Sequence, residues 1–393
     1  MEGFRSSLHS TIASRERAPV TLAHPVAALG TMLVPAATVH RQISVVLAAW
    51  GMPADVVRTA ADVMTDTDLA GIDSHGISML MLYEEALGLE QLNPTPTPRV
   101  VRESPVTALV DGDAGLGHVA AVFGMDIAMT KAKAAGVGVV CVRNSTHFGA
   151  AGYYAAMASR RGLLGLVTCT TRGNPVLPTR SAVPVLGTNP IAFAAPTRRN
   201  TPFLLDMSTS TVAQNKVKVF ELQERPLPAG WVLDERGEPV TDSALAMDLV
   251  TVRYTGGITA LGGTAEMSSH KGYGLSVMVQ ILSATLAGAS FTPIRKRTQG
   301  RGDPDEIGHF LMALDPTAFR EEGEFERDLD DVIDVLHAAT PSSAGEPVLV
   351  AGEPEVIARA ERARDGIPIP DTLAAKIRAI CDRAGAPFLL GGD

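Results

Sequence analysis

The spacing of apolar residues predicts helices in the first part of the chain. Residues 34–70 read as helical, and within them four apolar side chains recur on one face of a 3.6-residue period: Val56, Ala60, Val63 and Met64. Pro53 stands at a plausible first-turn position, and Gly71 ends the run. A shorter helix is predicted at 83–89. The proline-rich stretch 92–100 is too stiff for a helix and is predicted to be a connector.

From residue 106 onward, apolar strands alternate with helices. Strands are predicted at 106–110, 137–142, 163–169 and 309–315, and helices at 118–134, 150–161, 271–290, 326–338 and 369–384. Such alternation is typical of α/β proteins. We therefore predict the α/β class, with a cofactor- and substrate-binding α/β domain at 106–324 and a mainly helical domain built from 34–105 and 325–393.

Residues 1–33 differ in composition from the rest of the chain. They carry three arginines, several serines and threonines, and few acids. We predict a disordered extension. A transit peptide has a similar composition, and this alternative stays open.

Composition and charge narrow the class of protein. The chain has 393 residues and a net charge of −9, and it is 46% hydrophobic and 20% charged, values typical of a soluble globular protein. The negative charge argues against nucleic-acid binding, and the lack of an unbroken apolar run of about 18 residues argues against a membrane span. Cys141, Cys169 and Cys381 are too scattered for a disulfide framework, which predicts a reducing, cytoplasmic compartment.

The stretch GLGHVA at 115–120 matches a dinucleotide-binding fingerprint, because it follows a predicted strand and opens a predicted helix. Two features argue against that interpretation. The preceding strand ends in Asp-Gly-Asp, and the next strand delivers Arg143 where an acid should meet the ribose hydroxyls. We therefore favour a plain glycine-rich turn, although an arginine there could suit a 2′-phosphate.

His75 is the first candidate for acid/base chemistry, since a neutral imidazole can take a proton from a hydroxyl and return it to a carbonyl. Asp73 and Ser74 precede it directly, so the three side chains cannot converge as a Ser-His-Asp triad. The alternative is a histidine at a helix end, bonded to a carbonyl.

Three further stretches carry candidate chemistry. His147 lies in a strand-to-helix loop followed by small residues, which suits a site for a flat ring; the alternative is packing on Tyr153 or Tyr154. The hydroxyl cluster 208–210 suits phosphate or ribose oxygens, or alternatively a helix N-cap. Lys271 begins an apolar helix, where a cation is badly placed for the helix dipole and suggests an anionic ligand; the alternative is a solvated lysine. The histidines lack metal-binding spacing, so we predict no metal site.

Seven motifs in one order resemble the second type of malate/L-lactate dehydrogenase family: DSHGI, NSTHFGAAGYY, GTNPIAFAAP, LDMSTS, RPLPAGWVLDERGEPVTD, HKGYGLSVMVQILSATLAGASF and GHFLMALDPTAF. The resemblance covers residues 34–385. That family also includes ureidoglycolate dehydrogenase, diketogulonate reductase, sulfolactate dehydrogenase and reductases of cyclic imino acids. The resemblance implies a non-Rossmann NAD(P)-binding fold with a mixed sheet, and a homodimer with the active site near the subunit interface.

The resemblance also implies residue roles. His75 matches the acid/base histidine, Ser74 helps to bind or polarise the substrate, and His147 matches a second active-site histidine, which is itself proposed as the base in some members. The residues implied to contact NAD or NADP are His147, Phe148, Gly149, Asn189, Asp206, Met207, Ser208, Thr209, His270, Lys271, Gly308 and His309.

Two departures from the family pattern concern substrate binding. Many members have an arginine four residues after the motif histidine, where it grips the substrate carboxylate in a bidentate pair; here that residue is Met79. The segment after Cys169 brings in Arg172 and Asn174, and Arg172 or Lys271 is predicted to supply the missing cation. The alternative is a substrate with no carboxylate at that point.

The resulting prediction is an oxidoreductase that transfers a hydride between NAD(P) and a small 2-hydroxy or 2-oxo acid, with no nucleic-acid or membrane partner. The alternatives are a reductase of cyclic imines such as Δ1-piperideine-2-carboxylate, and a homologue that has lost catalysis and persists as a binding protein.

Overall fold

The computed structural model describes residues 30–253, 255–295, 303–343 and 345–391. The strands are β1 (Thr31–Val34), β2 (Arg99–Glu103), β3 (Thr107–Asp111), β4 (Val137–Ser145), β5 (Leu164–Cys169), β6 (Val176–Leu177), β7 (Ile191–Ala195), β8 (Phe203–Met207), β9 (Val232–Leu233), β10 (Gly257–Thr259), β11 (Ile307–Leu314) and β12 (Ile367–Pro370). The helices are α1 (Ala36–Ala49), α2 (Ala54–Leu69), α3 (Leu80–Gly88), α4 (Gly117–Ala135), α5 (Ala151–Ser159), α6 (Gln214–Leu222), α7 (Ser243–Asp248), α8 (His270–Gln280), α9 (Thr292–Arg295), α10 (Glu324–Ala338), α11 (Glu353–Asp365) and α12 (Asp371–Ala384).

A seven-stranded mixed sheet forms the centre of the molecule, in the order β2-β3-β4-β11-β5-β7-β8. Only β3 and β4 are parallel neighbours in it, and they are joined by α4; the other neighbours are antiparallel. Helices α4 and α5 pack their alanine-rich faces on this sheet and bury a continuous apolar core. The predicted α/β class and mixed sheet are therefore confirmed.

A second apolar core lies under the helices of the N- and C-terminal segments, where α1, α2 and α3 pack with α12. The short strand β1 pairs antiparallel with β12 and ties the two segments together. The predicted extension to residue 33 is thus too long, because residues 31–33 belong to this strand. Residues 1–29 lie outside the described part of the chain.

Two elements assigned to the helical part contact the central sheet or one of its connections. Strand β2, in the stretch 99–105 assigned to the helical part, pairs with β3 in the central sheet. Helix α10, also assigned to the helical part, binds the β7–β8 connection, because the buried Asp330 carboxylate accepts backbone N–H groups from Arg199 and Asn200. Helix α11 was missed, since its glycine- and proline-bearing start obscured the pattern. The predicted helix 271–290 is α8 continued by a π-helical turn at Ile281–Thr285.

A smaller three-stranded sheet, in the order β6-β10-β9, lies with α6 and α7 around a third apolar core. None of its strands was predicted from the sequence, because they are two or three residues long and too short to show periodicity.

Other segments of the protein pack directly against the two glycines of GLGHVA. A Cβ at Gly117 would lie 2.3 Å from the Thr146 carbonyl oxygen, and one at Gly115 would lie 2.3 Å from Pro96. The Gly117 N–H donates to the His147 carbonyl at 3.1 Å. The start of α4 therefore receives the loop of His147 where a dinucleotide fingerprint would receive a pyrophosphate, in agreement with a plain turn.

Among the described residues, no helix combines the length and apolar character needed to cross a membrane.

Candidate active site

His75 lies in the turn between α2 and α3, half-buried, with its backbone N–H donating to Ile72. Its Nδ1 is 2.7 Å from the Ser74 hydroxyl, so the ring bonds to a hydroxyl and not to the carbonyl of the helix-end alternative. Asp73 turns away and pairs with Arg362. The absence of a local triad, expected from the sequence, is therefore observed for these three residues.

A buried carboxyl group holds the turn that carries His75. Asp68 is 2% exposed and accepts the Ile77 N–H at 2.8 Å, and a Cβ on Gly76 would overlap the Asp68 carboxyl group. Burial raises the pKa of Asp68 to about 8, and the nearby Asp73 carboxylate adds to this effect. At neutral pH the Asp68 side chain is therefore mostly protonated, and it braces the turn without adding a full negative charge beside His75.

His147 lies in the loop between β4 and α5 and faces His75. The two imidazole rings are stacked, with centroids 5.5 Å apart and planes inclined by 27°. The loop is held on both sides: the Thr146 hydroxyl donates to the Gly115 carbonyl at 2.9 Å, and the Gly152 N–H donates to Asp206 at 2.6 Å. Two segments far apart in sequence thus place two imidazoles side by side.

Tyr83 and His118 lie behind His147. The Tyr83 hydroxyl is 2.9 Å from His147 Nδ1 and 3.4 Å from His118 Nε2. Tyr83 is 2% exposed and His118 is fully buried. The sequence-based alternative of packing on Tyr153 or Tyr154 is therefore wrong, because a tyrosine from α3 contacts the ring instead.

His309 and Phe148 form a wall of the same region. Their rings are parallel, inclined by 4° with centroids 4.6 Å apart. His309 is fully buried, with Nε2 2.8 Å from the Ser145 hydroxyl and Nδ1 3.1 Å from Cys169 Sγ. These partners make His309 a structural member of the wall.

Burial favours the uncharged form of every histidine in this group. It lowers the pKa of His75 below its usual 6.5, and it lowers the pKa of His118 and of His309 to about 3. The pKa of His147 is held well below 6.5, first by burial and then by the surrounding histidines. At neutral pH the two facing imidazoles are therefore uncharged.

The predicted cofactor segment 206–209 begins at the end of β8. Burial raises the pKa of Asp206 to about 6, with a further contribution from Glu355. Thr209 is fully buried and donates to the Asn189 carbonyl at 3.0 Å, whereas Met207 and Ser208 are half-buried. The helix N-cap alternative for 208–210 is wrong, because α6 starts only at residue 214 and its cap residue makes no side-chain bond.

Several residues predicted to contact the cofactor instead pack against, or hydrogen-bond to, neighbouring segments of the protein. Asn189 is fully buried and donates to the Ser276 carbonyl at 3.0 Å. A Cβ on Gly308 would lie 2.0 Å from the Ser283 carbonyl oxygen, and a Cβ on Gly149, which adopts φ +76°, would lie 3.1 Å from His118 Nε2. In this structure these three residues position the backbone.

His270 and Lys271 are exposed in the first turn of α8. Neither side chain forms an ion pair with another described residue. An ammonium group without an ion pair among the described residues is chemically suited to the phosphates of a dinucleotide, whereas the half-buried Ser208 hydroxyl is bonded to Ser210. The residues present thus fit the binding of such a cofactor.

The three residues predicted to bind substrate all contact other parts of the protein. Met79 packs on the apolar core beneath α3. Asn174 donates to the Pro184 carbonyl at 3.0 Å and holds its own loop. Arg172 is about one third exposed, with Nε 3.4 Å from Asp305 and Nη2 3.3 Å from the Gln91 side chain.

Sequence reasoning missed Tyr83, His118 and Asp68 as members of the site. His118 lies within GLGHVA, where only the glycines were considered as candidates, and Tyr83 was considered only as the first residue of a predicted helix. No local sequence signal marked Tyr83, because its hydroxyl meets His147 and His118 only through the tertiary fold. No group of three or more His, Cys, Asp or Glu side chains in the described ranges is arranged to hold a metal ion.

Comparison with known proteins gives a consistent family. Residues 34–378 match the family model described as malate/L-lactate dehydrogenase. The chain is 36% identical over 345 residues to a malate dehydrogenase of Pyrococcus horikoshii, covering 88% of this chain and 93% of that protein. It is 36% identical over 343 residues to an L-sulfolactate dehydrogenase of Methanocaldococcus jannaschii, covering 86% of this chain and 94% of that protein.

Solved structures agree with the sequence relatives. The structure of malate dehydrogenase from Pyrococcus horikoshii superposes with a TM-score of 0.83 at 32% identity, covering 94% of this chain and all of that chain. Sulfolactate dehydrogenase from Methanocaldococcus jannaschii superposes with a TM-score of 0.80 at 34% identity, covering 91% of this chain and 98% of the other.

Proposed function

Because the chain belongs to the malate/L-lactate dehydrogenase family of oxidoreductases, we propose that it transfers a hydride between NAD or NADP and the 2-position of a small 2-hydroxy or 2-oxo acid. The observation that carries the proposal is the pair of uncharged, half-buried imidazoles of His75 and His147, which face each other from separate segments. Relatives named as malate and sulfolactate dehydrogenases support the class of substrate.

In this proposal His75 moves the proton. We assign the proton of the neutral ring to Nδ1, where the Ser74 hydroxyl 2.7 Å away can accept it; the Nε2 lone pair is then free to accept the hydroxyl proton of the 2-hydroxy acid. In the reverse direction the imidazolium returns that proton to the carbonyl oxygen. Ser74 stabilises the charged ring by accepting its Nδ1–H bond.

The nicotinamide, when bound, supplies or accepts the hydride, and the protein provides binding and orientation. Lys271 and His270 would hold the phosphates, and the segment 206–209 would line the cofactor. Arg172 would bind the substrate carboxylate in place of an arginine at position 79. Asp305 partly neutralises Arg172, so this cation binds an anion less strongly than an unpaired arginine would.

The proposal includes a homodimer. Along α8 and its π-helical continuation, exposed apolar side chains form a stripe: Met278 is 39%, Ile281 52% and Leu286 60% exposed. Such a stripe suits a second copy of the chain. Light scattering coupled to size exclusion tests this, since a monomer at micromolar concentration contradicts it. A cytoplasmic location is also proposed, on the basis of three buried free cysteines.

The decisive experiment measures oxidation of NADH and of NADPH by the full chain with pyruvate, oxaloacetate and sulfopyruvate. The variant His75→Gln should lower kcat by about 100- to 10,000-fold, the usual contribution of a general acid or base. The matched control is His40→Gln, because His40 lies near the surface and pairs with Asp62. Full activity of His75→Gln contradicts the role given to His75.

The same assay separates the alternatives. Turnover of Δ1-piperideine-2-carboxylate without turnover of any 2-oxo acid would identify a cyclic imine reductase. Cofactor binding with no turnover of any compound would identify an inactive homologue.

A further inference from the structure

The hydrogen bonds behind His147 carry information about its protonation. Two groups approach Nδ1 of this ring: the Tyr83 hydroxyl at 2.9 Å and the Gly149 N–H at 3.3 Å. The Gly149 N–H can only donate. A nitrogen that receives the Gly149 N–H must present its lone pair, and in a neutral imidazole the proton then resides on the other nitrogen.

The direction of the Tyr83 hydroxyl follows from its surroundings. Tyr83 is 2% exposed, and burial raises its pKa, so it remains a protonated donor. Its single proton can go to His147 Nδ1 at 2.9 Å or to His118 Nε2 at 3.4 Å. The shorter contact has the better geometry for a hydrogen bond.

The buried His118 supports the same direction. Its Nδ1 is buried without a partner among the described residues. A buried N–H donor left unpaired is rarer in proteins than an under-used acceptor. His118 therefore carries its proton on Nε2 and donates it to the Tyr83 oxygen. The bonds run in one direction, from His118 Nε2–H to Tyr83 and from the Tyr83 O–H to His147 Nδ1.

We infer that Tyr83 is a positioning residue that locks His147 in the tautomer protonated at Nε2, so that His147 acts on the substrate as a hydrogen-bond donor and not as the base. Among the described residues, His147 Nε2 has no hydrogen-bond partner, so this N–H remains available for a carbonyl or carboxylate oxygen. The two facing histidines then have complementary roles: His75 accepts the proton at Nε2, and His147 donates a hydrogen bond from Nε2.

The catalytic part of this inference rests on the proposed function, whereas the tautomer does not. The first test is therefore two-bond ¹H–¹⁵N correlation NMR on the full chain labelled with [¹⁵N]histidine, without cofactor or substrate. The His147 signals, assigned with a His147→Gln sample, should show the pattern of the Nε2–H tautomer near neutral pH. An Nδ1–H pattern overturns the inference, whether or not the protein turns over any 2-oxo acid.

The second test uses Tyr83→Phe, which removes one oxygen atom. We expect the His147 resonances to become a mixture of tautomers and kcat to fall by about 5- to 100-fold, the loss of one buried hydrogen bond. The KM of the cofactor should change less than kcat. Tyr153→Phe is the matched control, because the Tyr153 ring packs on Tyr154 away from His147. Unchanged tautomer and kinetics in a folded Tyr83→Phe protein would reject the positioning role.

If the tautomer is as inferred but no hydride transfer occurs with any acid or imine tested, the proposed function fails and the assignment of Tyr83 stands. If hydride transfer occurs and the Nδ1–H tautomer is found, the enzyme function stands and Tyr83 has no such role.

Discussion

Replacing Gly117 with alanine tests whether GLGHVA serves the active site through packing or through a cofactor. A Cβ at this position would lie 2.3 Å from the Thr146 carbonyl oxygen, and 2.8 Å from both the His147 carbonyl oxygen and Phe148 Cβ. Two of these atoms belong to backbone and cannot rotate away. The loop that carries His147 must therefore move by about 1 Å to reach an ordinary contact distance.

The magnitude follows from that displacement. Overpacking of this kind costs about 1–3 kcal/mol of folding stability. A misplacement of about 1 Å at a reacting group costs about 100-fold in rate. We expect Gly117→Ala to lower kcat by roughly that factor and to lower the urea midpoint, while the Kd of NADH changes little.

The assay compares steady-state kinetics, urea unfolding and NADH titration for the wild type, Gly117→Ala and Gly88→Ala. Gly88 ends helix α3, and no atom lies within 4 Å of the Cβ it would gain, so its alanine variant should behave as the wild type. The reasoning is refuted if Gly117→Ala keeps its kcat and stability and loses only cofactor affinity. That result would mean that the glycine approaches a pyrophosphate.

Four further outcomes follow from the site. In the direction of hydroxy-acid oxidation, kcat/KM should fall on acidification only below pH 6.5, because burial lowers the pKa of His75 and only its neutral form accepts a proton. A decrease of kcat/KM centred above pH 7 that is present in the wild type and absent from His75→Gln would contradict this. The contribution of His118 and His309 to the free energy of unfolding should decrease as pH falls from 6.5 towards 3, because the unfolded chain protonates both there while the folded protein, with both pKa values near 3, does not. The raised pKa values of Asp68 and Asp206 act in the opposite direction, so the contribution is read from the comparison of wild type with His118→Asn. Each histidine contributes about 1.4 kcal/mol per pH unit to the free energy of unfolding measured in urea titrations. A folded His118→Asn variant whose free energy of unfolding depends on pH as in the wild type would refute the contribution assigned to His118. Arg172→Ala should lower kcat/KM for the true 2-oxo acid by about 10- to 150-fold, the loss of a charged hydrogen bond. An unchanged kcat/KM would mean that another residue binds the substrate carboxylate. Asp305→Asn should leave or raise the affinity for that acid, since it removes the charge that competes for Arg172.

Local patterns in the sequence determined most of the secondary structure. The periodicity of α2, α4 and β11 depends on residues within one element, and each of these elements was predicted within one to three residues of its observed ends. The order of motifs also indicated the family, which the comparisons confirm. His75 and His147 were both singled out as candidates, because unusual residue types in glycine-containing loops are visible without knowledge of contacts.

Only the tertiary structure decided how these candidates meet. The stack of His75 on His147 and the chain from His118 through Tyr83 join residues from four separate elements and loops, and their pairing depends on the path of the whole backbone. Burial of the histidines, which keeps them uncharged, is a property of the surrounding core and not of any motif. The same reason explains why GLGHVA resembles a dinucleotide fingerprint although the sequence analysis favoured a plain turn: its glycines accommodate another part of the chain, and a short sequence pattern is the same whether a glycine approaches a ligand or a distant carbonyl group.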